Sequence, residues 1–216
     1  MKRIVATLVS LVLTLGLIPG LAIAQEPGVL SAADVSASLS VQAKKKPTKA
    51  VKKKMLAAYK KVLKRAQNGG ASYSGLGLGK DYAVYDMGND GYPELFVKSS
   101  DSSWGGQFHV FDYASGKARY LGIVPLSSGW LYGTKNGKLY LSSGRQGGYS
   151  VTRVVKSSGT VVAGYDKAKT FIAKDVDDWD NAWRKCHAYV KKLKATALKT
   201  KPVTSYSLLN SKLKVS

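Results

Sequence analysis

The ten residues Asp86-Met87-Gly88-Asn89-Asp90-Gly91-Tyr92-Pro93-Glu94-Leu95 carry the one local pattern in the chain that points to chemistry. Three carboxylates and a carboxamide cluster around a glycine that permits a sharp bend. Calcium takes about six to eight oxygen ligands, offered from alternate positions of a short acidic loop with glycine at the turn. With Asp86 as the first position, Asp90 is the fifth and Gly91 the sixth. Tyr92 is the seventh, through its carbonyl, and Glu94 the ninth. The third position is Gly88, which has no side-chain oxygen; Asn89 is the nearest substitute. The expected ligands are therefore Asp86, Asn89, Asp90, Tyr92 and Glu94. A loop short of one carboxylate is expected to hold calcium weakly, with Kd of roughly 10⁻⁴–10⁻³ M. The same residues also suit a plain turn, since Asp, Asn and Gly favour turns and Pro93 fits the start of a strand.

Nothing else in the chain assembles a reaction. The histidines are His109 and His187. His109 alternates with Phe108 and Val110 in a strand-like stretch and is expected to face solvent. Cys186 and His187 are neighbours in a helical stretch, so they point to different faces and cannot form a nucleophile–base pair locally. There is no Gly-x-Ser-x-Gly elbow, His-Glu-x-x-His or phosphate loop. Asp175, Asp177, Asp178 and Asp180 read as helix-capping acids. The expectation is a non-enzymatic protein. A second kind of binding is offered by Trp104, Trp130 and Tyr132, with Tyr140 and Tyr149 nearby. Trp130 and Tyr132 share one strand face by alternation. Exposed aromatics of this kind stack on sugar rings; buried ones form cross-strand pairs.

The elements that must position these residues follow from periodicity. Residues 1–24 open with Met1-Lys2-Arg3, continue as an apolar run and end in Ala22-Ile23-Ala24. This reads as a secretory signal peptide. The run is also long enough to span a bilayer, but Pro19-Gly20 ahead of the small-residue site favours cleavage and no stable insertion afterwards. Residues 25–48 are Ser/Ala-rich and end in Lys44-Lys45-Lys46-Pro47, a disordered basic linker by composition. A helix is predicted over Lys49–Gln67, with Thr48 as N-cap and an apolar stripe of Val51, Met55, Tyr59, Val62, Leu63 and Ala66. Its other positions are mostly lysine, either a solvated face or one that meets an anionic surface.

Residues 71–80 are glycine-rich and read as a loop. From 81 the period becomes two, with strands expected near 81–85, 95–99, 107–111, 118–124, 129–133, 138–142, 149–156, 160–165 and 169–173. Ser115-Gly116-Lys117, Asn136-Gly137 and Ser157-Ser158-Gly159 are short turns that force antiparallel neighbours. A second helix is expected over about 178–195, striped by Trp179, Ala182, Trp183, Cys186, Val190 and Leu193. The fold class is thus α+β: an antiparallel β-meander of about eight strands flanked by an N-terminal and a C-terminal helix, all within 49–195. Residues 196–216 read as a C-terminal tail, loose or adding an edge strand.

The loop also carries a resemblance. Tyr82-Ala83-Val84-Tyr85-Asp86, followed after three residues by Asp90-Gly91-Tyr92-Pro93-Glu94-Leu95, looks like the loop of FG-GAP/VCBS-type β-repeats, whose usual pattern is Asp-x-Asp-Gly-Asp-Gly-x-x-Glu/Asp-Leu. It is similar to secreted Gram-positive proteins of unknown function. These share a lysine-rich helix with a Tyr-x-x-Val/Ile-Leu element, as in Tyr59-Lys60-Lys61-Val62-Leu63, and strands like Phe108-His109-Val110-Phe111-Asp112-Tyr113 and Gly147-Gly148-Tyr149-Ser150-Val151-Thr152-Arg153-Val154. The resemblance covers 49–165 and implies a β-rich, calcium-capable, non-catalytic module. One such loop is too few for a propeller.

Charge bounds the partners. The chain carries 34 Lys and Arg against 13 Asp and Glu, a formal net charge of +21, which draws polyanions by long-range attraction. For a secreted or cell-wall-associated protein these are anionic cell-wall polymers or glycans. No nucleic-acid-binding motif is present, so nucleic acid is not expected. The lone Cys186 has no partner for an intramolecular disulfide, so packing must hold the fold.

Overall fold

The computed structural model describes residues 45–69, 72–73, 75–100, 106–126, 129–145, 147–157, 159–164, 168–175 and 177–215. The stretch read as a signal peptide, residues 25–44 of the spacer, and Trp104 lie outside them.

Helix α1 spans Lys49–Gln67 and buries Met55, Tyr59, Val62, Leu63 and Ala66 of the predicted stripe, with Ala58 added and Val51 half-buried. Thr48 Oγ1 accepts the Val51 amide at 3.3 Å, and Gly69 (φ 64°) follows the C-cap. Next come β1 (Ser72–Tyr73), β2 (Leu76–Tyr85), β3 (Glu94–Ser99), β4 (Gln107–Ala114) and β5 (Lys117–Pro125). They are followed by β6 (Trp130–Thr134), β7 (Leu139–Arg145), β8 (Gly148–Ser157), β9 (Thr160–Ala163) and β10 (Lys169–Ile172). Helix α2 (Trp179–Lys192), β11 (Ala195–Ala197), β12 (Lys201–Pro202) and α3 (Ser207–Leu213) close the chain. The class is α+β with antiparallel sheet dominant.

The strands do not form one meander. They divide into two sheets, β1-β2-β3-β4-β5 with β12 also on β2, and β10-β8-β7-β6-β11 with β9 also on β8. Phe96, Phe108, Val110, Leu121 and Val124 of the first face Leu131, Leu139, Leu141, Val154 and Val161 of the second. One open sheet would leave such a face in water; two sheets bury it against each other. The outer face of the first sheet packs Leu78, Tyr82, Val84, Leu95, Val97 and Phe111 under α1 and α3. The outer face of the second packs Tyr132 and Val151 under Cys186 and Val190 of α2. Layers therefore run helix, sheet, sheet, helix.

Two further expectations change. The glycine-rich loop predicted at 71–80 is largely strand, because β2 begins at Leu76. A Cβ on Gly79 would lie 2.6 Å from the Ser99 carbonyl oxygen, and pairing with β3 shifts register between Leu78 and Tyr82. Glycine here serves a bulge rather than a break. The residues read as a tail, loose or adding an edge strand, add short strands to both sheets and so strap them together. β11 pairs with β6, the Leu198 amide donates to the Leu131 carbonyl at 2.8 Å, and β12 pairs with β2. Helix α3 then buries Leu209 and Leu213 beside α1, and the Leu209 amide donates to the Tyr82 hydroxyl at 3.3 Å. Leu208, Leu209 and Leu213 carry too short an apolar pattern to announce a helix without the sheet beneath it.

Tyr85 ties the sheets at the strap side. Its hydroxyl lies 2.8 Å from both the Thr134 and Lys138 carbonyls and accepts the Thr134 amide at 3.0 Å. The ring fits because residue 133 is glycine: a Cβ there would sit 2.2 Å from Tyr85 Cε2. Gly133→Ala is expected to destabilise the protein by about 2 kcal/mol through overpacking. In a denaturant double-mutant cycle with Tyr85→Leu the two losses should not add, since the ring that clashes is gone.

Candidate functional site

Loop 86–93 joins β2 to β3, and two of its own acids close its bend. Asp86 Oδ1 accepts the Asp90 amide at 3.1 Å and Oδ2 accepts the Gly91 amide at 2.9 Å. Asp90 Oδ1 accepts the Tyr92 amide at 2.9 Å. These are side-chain-to-backbone turn bonds, the local competition that Asp offers to regular structure. Gly88, Asn89 and Gly91 take φ of 100°, 57° and 83°, which lets successive amides turn inward. Burial raises the Asp86 pKa, and the Gly91 amide pulls it back in part.

Glu94 is fully buried at the first position of β3. Its Oε2 accepts the Met87 amide at 2.8 Å, and its Oε1 is paired with the Lys156 ammonium from β8, on the other sheet. Burial pushes its pKa up to about 7, against the opposing pull of Lys156 and the Met87 amide. Burial alone would lower the Lys156 pKa, but the Glu94 charge beside it leaves it raised. Other elements converge on the same loop. The Tyr59 hydroxyl donates to the Pro93 carbonyl at 2.8 Å, and the Gly88 amide donates to the Gly137 carbonyl at 3.0 Å. A Cβ on Gly91 would lie 2.8 Å from Pro47 Cδ, so the buried Pro47, at the end of the stretch read as a linker, is seated on the loop.

The five predicted ligands thus lie along one loop and the first residue of β3, where oxygens of Asp86, Asp90 and Glu94 accept backbone amides and Glu94 also pairs with Lys156. Among the described residues no three or more His, Cys, Asp or Glu side chains form a group that could hold a metal ion. Asn89 is exposed, and the Tyr92 ring packs with the core under α1. Sequence reading missed Lys156. Its signal is weak but real: period two puts it on the inward face with Val154.

His109, expected in solvent, is fully buried on β4 because both faces of that sheet are covered; its Nδ1 lies 3.3 Å from the Tyr120 hydroxyl and burial lowers its pKa. The Cys186 thiol is buried beneath α2, which pushes its pKa to about 11. Tyr132 is also covered by α2 and meets His187 edge-on, whereas Trp130 on the same sheet face stays 57% exposed. Trp130 stands at a cleft of about 410 Å³ lined with Asp81, Lys98, Phe108, Leu126 and Thr200. A second groove of about 410 Å³ runs between α1 and the β4–β5 turn. Lys54, Lys61, Arg65 and Lys117 line it over Ala58, Val62 and Tyr73, with no acid among the described lining residues.

The Glu94 pKa is raised on folding, from 4.5 to about 7, so its contribution to stability is full below pH 4.5 and lost as pH rises through about 7. Lys156→Met leaves a buried carboxylate unpaired and is expected to cost about 3 kcal/mol at pH 8. The loss should shrink at pH 5, where Glu94 takes up a proton; denaturant melts at the two pH values check this. Glu94→Gln should flatten the wild-type dependence across that window. Comparison with known protein families, with curated proteins and with solved structures returned no match.

Proposed function

We propose that the protein is an exported, non-enzymatic module that binds an anionic cell-wall polymer along the lysine face of α1. The observation that carries this reading is the groove between α1 and the β4–β5 turn, where four cations from two elements meet over an apolar floor. Helix α1 contains no Asp or Glu to neutralise them. A linear polyanion supplies the missing charge, and the groove supplies a seat for its backbone. A non-enzymatic role fits the buried, protonated Cys186 and the buried His109. In this reading loop 86–95 is an internal lock, not a calcium site: amides and the Lys156 ammonium take the places that a cation's charge would take.

A glycan reading is favoured by one further observation, the exposure of Trp130 beside Asp81, Lys98 and Thr200. An aromatic face flanked by polar groups accepts a sugar ring. A glycan polymer bearing acidic groups would satisfy both surfaces.

Binding to an immobilised phosphodiester polymer should be lost between about 0.05 M and about 0.5 M salt. Replacing Lys54, Lys61, Arg65 and Lys117 by Ala should weaken it about tenfold or more without lowering Tm. Salt-independent binding, or an unaffected variant, would overturn the assignment. About 5 mM calcium should leave Tm unchanged. An upward shift that Asp90→Ala abolishes would restore the metal site.

A further inference from the structure

A different cleft, of about 320 Å³, lies where the strap crosses between the sheets. Four lysines from four segments line it: Lys135 in the β6–β7 turn, Lys194 after α2, Lys199 between β11 and β12, and Lys212 on α3. All four are exposed, and no Asp or Glu is among the described lining residues. The rest of the lining is mainly apolar, from Val84, Ala197, Leu198 and Leu208, with the Tyr85 ring. Like charges gathered around one concavity repel one another and focus a positive potential into it. The volume is that of a small-molecule site rather than of a flat patch.

Lys194 reaches the edge of the cleft through a helix stop. It follows the α2 C-cap with φ of 53°, a position that helices commonly give to glycine. A lysine held there bears a backbone cost of roughly 1 kcal/mol. The conformation carries the chain directly from α2 into β11, at the edge of the cleft. Lys214 takes the same conformation (φ 48°) where α3 ends, outside the cleft, so the turn is a helix stop that places Lys194 at the rim. Four ammonium point charges without an arginine fork suit a multiply charged phosphate better than a single planar carboxylate.

We infer that this cleft binds a phosphate group carried on an apolar body, with Lys135, Lys194, Lys199 and Lys212 around the phosphate and Val84, Leu198 and Leu208 against the body. The site shares no residue with the α1 groove and stands or falls separately from it. The probes are 1-naphthyl phosphate, inorganic phosphate, and phosphatidylglycerol in phosphatidylcholine vesicles. Calorimetry should give naphthyl phosphate tighter binding than inorganic phosphate, by about tenfold for the apolar area covered. Lys194→Ala with Lys199→Ala should weaken the naphthyl ligand by about tenfold. Lys54→Ala with Lys61→Ala should leave it unchanged, which separates this cleft from the polymer groove. On the unmutated protein, naphthyl phosphate should shield Lys194 and Lys199 from an amine-acylating reagent, read by mass spectrometry. Vesicle binding that depends on the same lysines identifies a lipid headgroup as the source; naphthyl phosphate binding without vesicle binding identifies a soluble one. No binding of naphthyl phosphate at about 1 mM, an unaffected Lys194/Lys199 variant, or unshielded lysines would overturn the assignment.

Discussion

The buried contact between Glu94 and Lys156 is the constraint around which the two sheets are set. Glu94 opens a strand of one sheet, and Lys156 lies near the end of a strand of the other. A carboxylate without water needs a cation and hydrogen-bond donors, and here both arrive from tertiary structure. Such a pair adds little net stability compared with apolar groups of the same volume. It does penalise any register in which the two strands fail to bring the charges together. The surrounding apolar layer supplies the attraction between sheets, which has no direction of its own. The ion pair supplies the direction.

The acidic loop extends that role. Asp86 and Asp90 close it on its own amides, and the result is a rigid knob on which Pro47, Tyr59 and the β6–β7 turn settle. Acidic side chains that look like metal ligands in a linear sequence are equally good acceptors for amides. Accepting amides requires that the chain bend those amides toward the carboxylates. Here glycines and an asparagine in left-handed conformations do so.

Glu94 and Asp112 are buried, whereas Asp175, Asp177 and Asp180 are exposed near the start of α2, away from the two lysine-lined concavities. Net charge alone spreads attraction over the whole molecule. What localises it is concavity: one groove beside α1 and one cleft beneath the strap each collect four cations over apolar floors. The two differ in build. One lies alongside a regular helix and suits an extended chain, whereas the other is assembled from turns, a strap and a short helix and suits a compact ligand.

Local pattern determined α1 and its cap, the antiparallel pairing of strands joined by short turns (β4–β5, β6–β7 and β8–β9), and the burial of Cys186, because each is set by residues within a few positions of one another. The acidic stretch was legible as a bend between strands, with Asp, Gly and Pro where a bend needs them. Tertiary structure alone decided the rest. A period of two says which residues share a face but not what covers that face, so His109 was expected in water and lies buried between layers. Tyr132 and Trp130 alternate alike, yet α2 covers one and leaves the other exposed. The division into two sheets, the strap from Ala195 to Pro202, and the partner of Glu94, 62 residues away, depend on contacts between distant segments. No local propensity encodes such a contact, because its energy exists only once the chain has closed the loop between them.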